Sequence, residues 1–260
     1  MSNSPLVVYK QISRNRNSPR TSKIDTITIH CVVGQCSAES LGAWFSSPNC
    51  GGAANYGVDK DGRVGLYVDE GDRAWSSGGL DSNGKPILVN GISGSDNDHR
   101  AITIEVASDI EEPYAVTDKA INGLIALLVD ICKRNGIPKL LWKGNKSLVG
   151  QVDKQNMTVH QWFANKSCPG TYLYDRHGYI ADEVNKRLGV VDPPPKPNVL
   201  TIQVTIGETK YVLDGEVLDR DTIVYKDEAY FPAAWFARKL GFNADWDAAT
   251  NTTTLTKKSG

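Results

Sequence analysis

The stretch IDTITIHCVV, Ile24–Val33, alternates Thr26 and Thr28 with Ile27 and Ile29 and then runs apolar, the pattern of a strand entering a buried sheet. His30 therefore falls near that strand's end. A second run, AITIEVA at Ala101–Ala107, alternates in the same way and predicts a second core strand that carries Glu105. Around these two, Ser37–Phe45 reads as a short helix with a Ser start, Glu39 in its first turn and apolar Leu41, Trp44 and Phe45. Asn55–Tyr67 reads as two β runs around the turn pair Asp61 and Gly62. The clearest helix spans Thr117–Asn135: Thr117 as N-cap, apolar Ala120, Ile121, Leu124, Ile125, Leu128 and Ile131, then Gly136 and Pro138 as the stop. A last helix is predicted over 175–188, with His177 at its start. Strands interleaved with helices predict an α/β fold with a central mixed β-sheet flanked by helices. Residues 71–100 fit neither period and predict a long loop, a feature that in compact domains is usually functional or mobile.

Four prolines in VVDPPPKPN, Val190–Asn198, predict a semi-rigid spacer. It divides the 260 residues into a domain at 1–189, a linker at 190–198 and a small α+β module at 199–260. The module reads as strands at 200–204 and 211–213, an apolar helix at 232–240, and strands near Ala244 and at 252–256. Lys plus Arg number 29 against 30 for Asp plus Glu, so no overall field draws the chain to nucleic acid. Charge is uneven locally: Lys10, Arg14, Arg16, Arg20 and Lys23 open the chain with no acid among the first 24 residues. A second cationic stretch, Lys133 to Lys154, could face an anionic polymer or simply solvent. The apolar stretch at Leu124–Val129 falls far short of the roughly 20 residues of a bilayer span, so no membrane span is expected. The start MSNSPLVVYKQ lacks the basic head and long apolar run of a secretory signal.

Five cysteines are too few and too oddly numbered for a disulfide scaffold. Cys31 follows His30 in an extended strand and must point to the opposite face, and Cys132 lies among Leu128, Val129 and Ile131. Cys36 and Cys50 flank the short helix and read as free thiols, with a disulfide left open. Cys168 stands eight residues after His160, a loop that can bring both side chains to one ion, with His30 completing the set. A catalytic zinc uses three such ligands and an open water position. Spacing alone fits equally a core cysteine and two polar histidines. Glu105 is either a solvated carboxylate or a general base, and its flanking Ile102, Ile104 and Val106 favour the second, since idle burial of an acid is costly.

Thr28, Ile29 and His30 after a strand, Asn55–Val58 followed by Asp61 and Gly62, Ala74 with Trp75, Ile102–Glu105, and His160 followed by Lys166–Pro169 occur in one order over residues 24–189. In this the chain resembles the zinc-dependent N-acetylmuramoyl-L-alanine amidases shared by phage endolysins, bacterial wall amidases and peptidoglycan recognition proteins. The resemblance implies a Zn2+ cofactor held by His30, His160 and Cys168, with Tyr56, Glu105 and Lys166 lining the reaction centre. Some branches carry aspartate as the third ligand, and Cys168 places this chain with the other branch. It implies peptidoglycan as the partner, with Trp75 walling the stem-peptide groove and His99 orienting substrate or a neighbouring group. Members that bind peptidoglycan without cutting it typically lack the third ligand, so Cys168 favours hydrolysis. With no signal segment, the reading is an endolysin held in the host cytoplasm until released onto the cell wall. A host autolysin and an enzyme recycling soluble muropeptides are the alternatives, the latter disfavoured by the added module. Tyr230–Gly241, Trp246–Thr250 and Thr252–Leu255 resemble the small domain of Gram-positive surface proteins named after the N-terminal part of copper amine oxidases. Residues 199–260 contain no His or Cys, so the name brings no copper; a wall-targeting or stalk role is what the resemblance implies.

Overall fold

In the computed structural model, the two alternating stretches pair in parallel, with Ile27 opposite Ile102 and His30 opposite Glu105. The structure describes residues 2–190 and, further on, 211–213, 216–218, 223–225, 228–230, 237–238, 241–247, 250 and 252–257. The chain divides into two compact units, Met1–Val191 and Asp192–Gly260. The strands of the first unit are β1 (Val7–Lys10), β2 (Arg16–Asn17), β3 (Thr26–Cys31), β4 (Tyr56–Val58), β5 (Val64–Leu66), β6 (Arg73–Ala74), β7 (Leu88–Val89), β8 (Ile92–Ser93), β9 (Ala101–Val106) and β10 (Met157–Thr158). Its helices are α1 (Ala38–Ser46), α2 (Gly94–Arg100), α3 (Asp118–Asn135) and α4 (Gly170–Arg187). A mixed six-stranded sheet runs β1-β5-β4-β9-β3-β10, parallel from β4 to β10 and reversed at β5 and β1.

Alternation divides the sheet's chemistry between its faces. Ile27, Ile29, Cys31, Ile102, Ile104 and Val106 face α3 and α4 and pack with Leu124, Leu128, Leu173 and Ile180 in one buried cluster. The opposite face carries Thr28, His30, Thr103 and Glu105. Over it lies α2, whose Asn97 amide donates to Thr28 Oγ1 (3.0 Å) while its carbonyl accepts from Thr158 Oγ1 (3.0 Å). Thr117 caps α3 through the Ala120 N–H, and Gly136 ends it in the left-handed region at φ 66°, as the sequence predicts.

Two readings of the sequence need correction. The expected loop at 71–100 contains β6, a β7–β8 hairpin and α2. That helix is started by a capping box between Ser93 and Asp96 and buries polar Asn97 and Asp98, so it shows no apolar period. The last helix begins at Gly170 rather than near 175, which places His177 inside it and buried. Thr171, Tyr172 and Tyr174 are weak helix formers in isolation, and the burial of Leu173 outweighs that preference. Strands β1 and β10, at the two edges of the sheet, are too short for a periodic signal.

In the second unit β11 (Tyr211–Leu213) pairs with β12 (Glu216–Leu218), β13 (Ile223–Tyr225) with β14 (Glu228–Tyr230), and β15 (Phe242–Asp247) with β16 (Thr252–Lys257), each antiparallel. The strand expected at 200–204, the proline spacer and most of the helix expected at 232–240 lie outside the described residues. Among the described residues no helix is long and apolar enough to cross a membrane, and all five cysteines are free.

A buried ion pair ties the N-terminal segment to the core. Glu70, fully buried, accepts from Arg134 Nη2 (2.6 Å) and Nη1 (2.9 Å), Asn135 Nδ2 (3.0 Å) and the Tyr56 hydroxyl (2.6 Å). The Tyr56 oxygen in turn accepts the Ser4 N–H (2.9 Å). Removing one partner of such a pair strands the other charge, so Arg134→Ala is expected to lower stability by about 3–5 kcal/mol, read from the urea midpoint at unchanged slope.

His177 supplies a pH signature. Its Nδ1–H donates to the Leu173 carbonyl (2.6 Å), Nε2 has no partner, and burial pushes the imidazole down to about 4. Above its ordinary value of 6.5 the ring is neutral in both states. As pH falls toward 4 the unfolded chain takes up a proton that the folded ring refuses, so stability falls through that window and levels off below it. Between those limits the wild type should lose on the order of 3 kcal/mol more than His177→Gln in urea unfolding at stepped pH.

Candidate active site

The register of β3 and β9 sets His30 beside Glu105 on one face, on strands about 4.8 Å apart. The His30 Nδ1 to Glu105 Oε1 distance is 4.0 Å. The residues His160–Trp162 form a 3₁₀ turn directly after β10, the strand next to β3. The chain then loops back: Phe163 and Ala164 donate to the His160 carbonyl (2.8 and 3.1 Å), and Gln161 donates to the Cys168 carbonyl (3.0 Å). This closure returns Cys168 to the turn eight residues after His160. Cys168 Sγ lies 3.4 Å from His30 Nδ1, the rings of His30 and His160 meet edge to face at 5.0 Å, and one ligand atom from each of the three residues lies within 4.8 Å of the others.

Burial keeps this cluster uncharged when nothing is bound. It drives the His30 imidazole well below its ordinary value, with His160 adding to the effect. It pushes His160 down to about 4, helped by the Lys166 charge. The Glu105 carboxyl is raised well above the usual carboxylate range by burial and then by Cys31. Contact with the Cys31 thiol, then burial, raises the Cys168 thiol. Both shifts disfavour an ion pair across the 4.0 Å contact of His30 and Glu105. Two buried atoms there, His160 Nε2 and Glu105 Oε2, have no hydrogen-bond partner. Two imidazoles and a thiol that each offer a ligand atom within 4.8 Å of the others suit a zinc ion, which would take neutral imidazole and thiolate and balance the charge of the set.

The other expected residues divide. Lys166 is exposed at the end of the 160–168 loop, near enough to depress His160. Trp75, 40% exposed, donates from Nε1 to Asn17 Oδ1 (2.7 Å) and directly precedes Ser76, whose hydroxyl lies 3.1 Å from His30 Nε2. Glu105, with a side chain 19% exposed, opens toward the surface. Tyr56 is not brought to the cluster. It pairs with Ile104, which puts its ring on the apolar face, and its hydroxyl is committed to Glu70 and Ser4. Nor is His99: its Nδ1 accepts the Thr21 N–H (3.1 Å), and β9 begins two residues beyond it whereas Glu105 is near that strand's far end. Ser76 and Ser77, whose hydroxyls lie beside His30, and Asp98, which accepts their backbone N–H groups, fall in the 71–100 stretch, where no apolar period marks them.

Two family models match the chain: that of N-acetylmuramoyl-L-alanine amidase over residues 20–171, and that of the copper amine oxidase N-terminal domain over residues 197–255. No curated protein sequence matches. Among solved structures, the chain is similar to a mutant endolysin from Bacillus subtilis at 18% identity, covering 71% of this chain and 99% of that one at a TM-score of 0.47. It is similar to a selenomethionine derivative of AmpD at 18% identity, covering 70% and 99% at 0.48. The endolysin N-acetylmuramoyl-L-alanine amidase LysCS from Clostridium intestinale URNW follows at 14% identity, 71% and 98% coverage, and 0.39. The amidase model spans more than half of the chain and takes in His30, Glu105, His160 and Cys168, and the chain belongs to the N-acetylmuramoyl-L-alanine amidase family.

Proposed function

We propose that this protein is a zinc-dependent peptidoglycan hydrolase that cuts the amide between N-acetylmuramic acid and the L-alanine of the stem peptide. The observation that carries the reading is the convergence of His30, His160 and Cys168 within 4.8 Å, beside Glu105. These three side chains would hold a zinc ion, which when bound supplies Lewis acidity for the scissile carbonyl and renders water acidic near neutral pH.

The remaining work falls to the chain's own groups. Glu105 stands beside the candidate cluster with Oε2 unpartnered and its side chain partly open; the charge of a bound cation would favour its ionised form, in which it accepts a proton from the attacking water. The raised carboxyl then suits it to return that proton to the departing L-alanine nitrogen, a poor leaving group unless protonated. Lys166, an exposed ammonium on the 160–168 loop, stabilises the negative charge that develops on the carbonyl oxygen. Trp75 offers an exposed aromatic wall for the stem peptide or glycan. The biological setting we propose is lysis of a Gram-positive host by a phage endolysin, with residues 199–260 holding the enzyme on the wall.

Mass spectrometry of digested Gram-positive walls tests the bond: new L-alanine amino groups are expected, and released reducing sugar ends would overturn the reading. Glu105→Gln should bind metal like the wild type and lose about 100-fold or more in kcat. Tyr56→Phe should keep kcat while losing about 2 kcal/mol of stability, the worth of one hydrogen bond to a charged group; a large fall in kcat would return Tyr56 to the reaction centre. Removal of residues 190–260 should depress whole-cell lysis by tenfold or more and leave cleavage of soluble muropeptides unchanged. Equal losses on both substrates would make the tail a structural support.

A further inference from the structure

Residues 76–79 cross the candidate site as a strap that touches both histidines. Ser76 Oγ lies 3.1 Å and Ser77 Oγ 3.5 Å from His30 Nε2, and the Gly78 backbone approaches the His160 ring. The strap is wedged on both sides. A Cβ at Gly94, in the first turn of α2, would stand 2.1 Å from the Ser77 carbonyl oxygen. One at Gly79 would stand 2.6 Å from the Phe163 carbonyl oxygen and 2.5 Å from the Ala164 methyl, in the turn that follows His160. The one side chain that grips the strap from α2 is Asp98, fully buried, whose Oδ2 accepts both the Ser76 N–H (2.9 Å) and the Ser77 N–H (2.8 Å). Two successive N–H groups on one oxygen fix the intervening peptide plane and with it the direction of both serine hydroxyls. The preceding residue, Asn97, bonds Thr28 and Thr158, so α2 is itself fastened to the strand that carries His30 and to the strand that leads to His160.

We propose that Asp98 is a positioning residue for the metal centre: by clamping the Ser76–Gly79 strap it holds both imidazoles in their ligating orientation and selects the His30 tautomer. With the Ser76 oxygen fixed beside Nε2, the Nε2–H donates to it, and Nδ1, which faces Cys168 Sγ at 3.4 Å, keeps its lone pair for the ion. Such outer partners of metal-bound histidines are worth about 10–100-fold in metal affinity. The inference rests on the metal reading above, but its first consequence, the tautomer, is a property of the metal-free protein. Acceptor geometry rather than charge is what the clamp needs, so an asparagine should serve in its place.

The test is long-range 15N–1H spectroscopy of the histidines in the metal-free full chain, with Co2+ titration followed through the thiolate charge-transfer band of Cys168. The wild type and Asp98→Asn should show a single Nε2–H tautomer at His30 and bind Co2+ alike. Asp98→Ala should show mixed tautomers and bind Co2+ about 10–100-fold more weakly. The double variant Ser76→Ala with Ser77→Ala leaves the clamp's N–H groups in place and should lose the single tautomer too, which keeps the test open should Asp98→Ala fail to fold. Wild-type tautomer and affinity in Asp98→Ala, a wild-type tautomer in the double serine variant, or no rescue by asparagine would each overturn the positioning role. If the wild type binds no Co2+ while Asp98→Ala still mixes the tautomers, the metal reading falls and the positioning role stands. If the wild type binds Co2+ and Asp98→Ala matches it in both readouts, the reverse holds.

Discussion

The parallel register of β3 on β9 is the constraint from which the rest follows. Because Ile27 meets Ile102 and Ile29 meets Ile104, His30 must meet Glu105, and the strands' large apolar side chains go to one face. A slip of one residue would send Ile29 into the polar face and His30 into the helices. Core packing against α3 and α4 thus specifies what stands on the far side of the sheet: the apolar residues hold the register and the register holds His30 beside Glu105.

That far face is costly to maintain. It collects a histidine, a carboxyl, two threonines and, through the 160–168 loop, a second histidine and a thiol, each largely removed from water. Every group is either hydrogen-bonded, as Thr28 is to Thr158 and Asn97, or driven to its neutral form, as His30 and Glu105 are. The atoms left without partners there include His160 Nε2 and Glu105 Oε2, which a cation and a water would satisfy, and Asp98 Oδ1 on the helix above. Stability is recovered elsewhere, in the apolar cluster and in the Glu70–Arg134 pair that locks the N-terminal segment over the sheet.

Long periodic elements were legible in the chain. Thr26–Cys31, Ala101–Val106 and Asp118–Asn135 announce themselves because alternation or a 3.6-residue period repeats across them, and Thr117 and Gly136 mark the helix ends. The candidate set of His30, His160 and Cys168 was legible as residue types in family order. Helix α2 was not, since a seven-residue helix that buries Asn97 and Asp98 instead of leucines has no apolar period and shows only its capping box. Tyr56 misled for a related reason. Its motif lies next to the site in sequence, but the side it faces depends on pairing with Ile104, which only the folded sheet reveals. The strap of Ser76 and Ser77 on Asp98 joins residues about 20 apart through backbone N–H groups, which no side-chain pattern encodes.

The central claim, that this register and the 160–168 loop together build a metal centre, is tested most directly by metal content and titration. After chelation and dialysis, the full chain should bind one equivalent of Zn2+ and recover wall hydrolysis with it, while Cys168→Ser, folded by circular dichroism, should bind Zn2+ at least tenfold more weakly and recover none. Full hydrolysis by the chelated wild type with no metal present, or undiminished Zn2+ binding by Cys168→Ser, would contradict it.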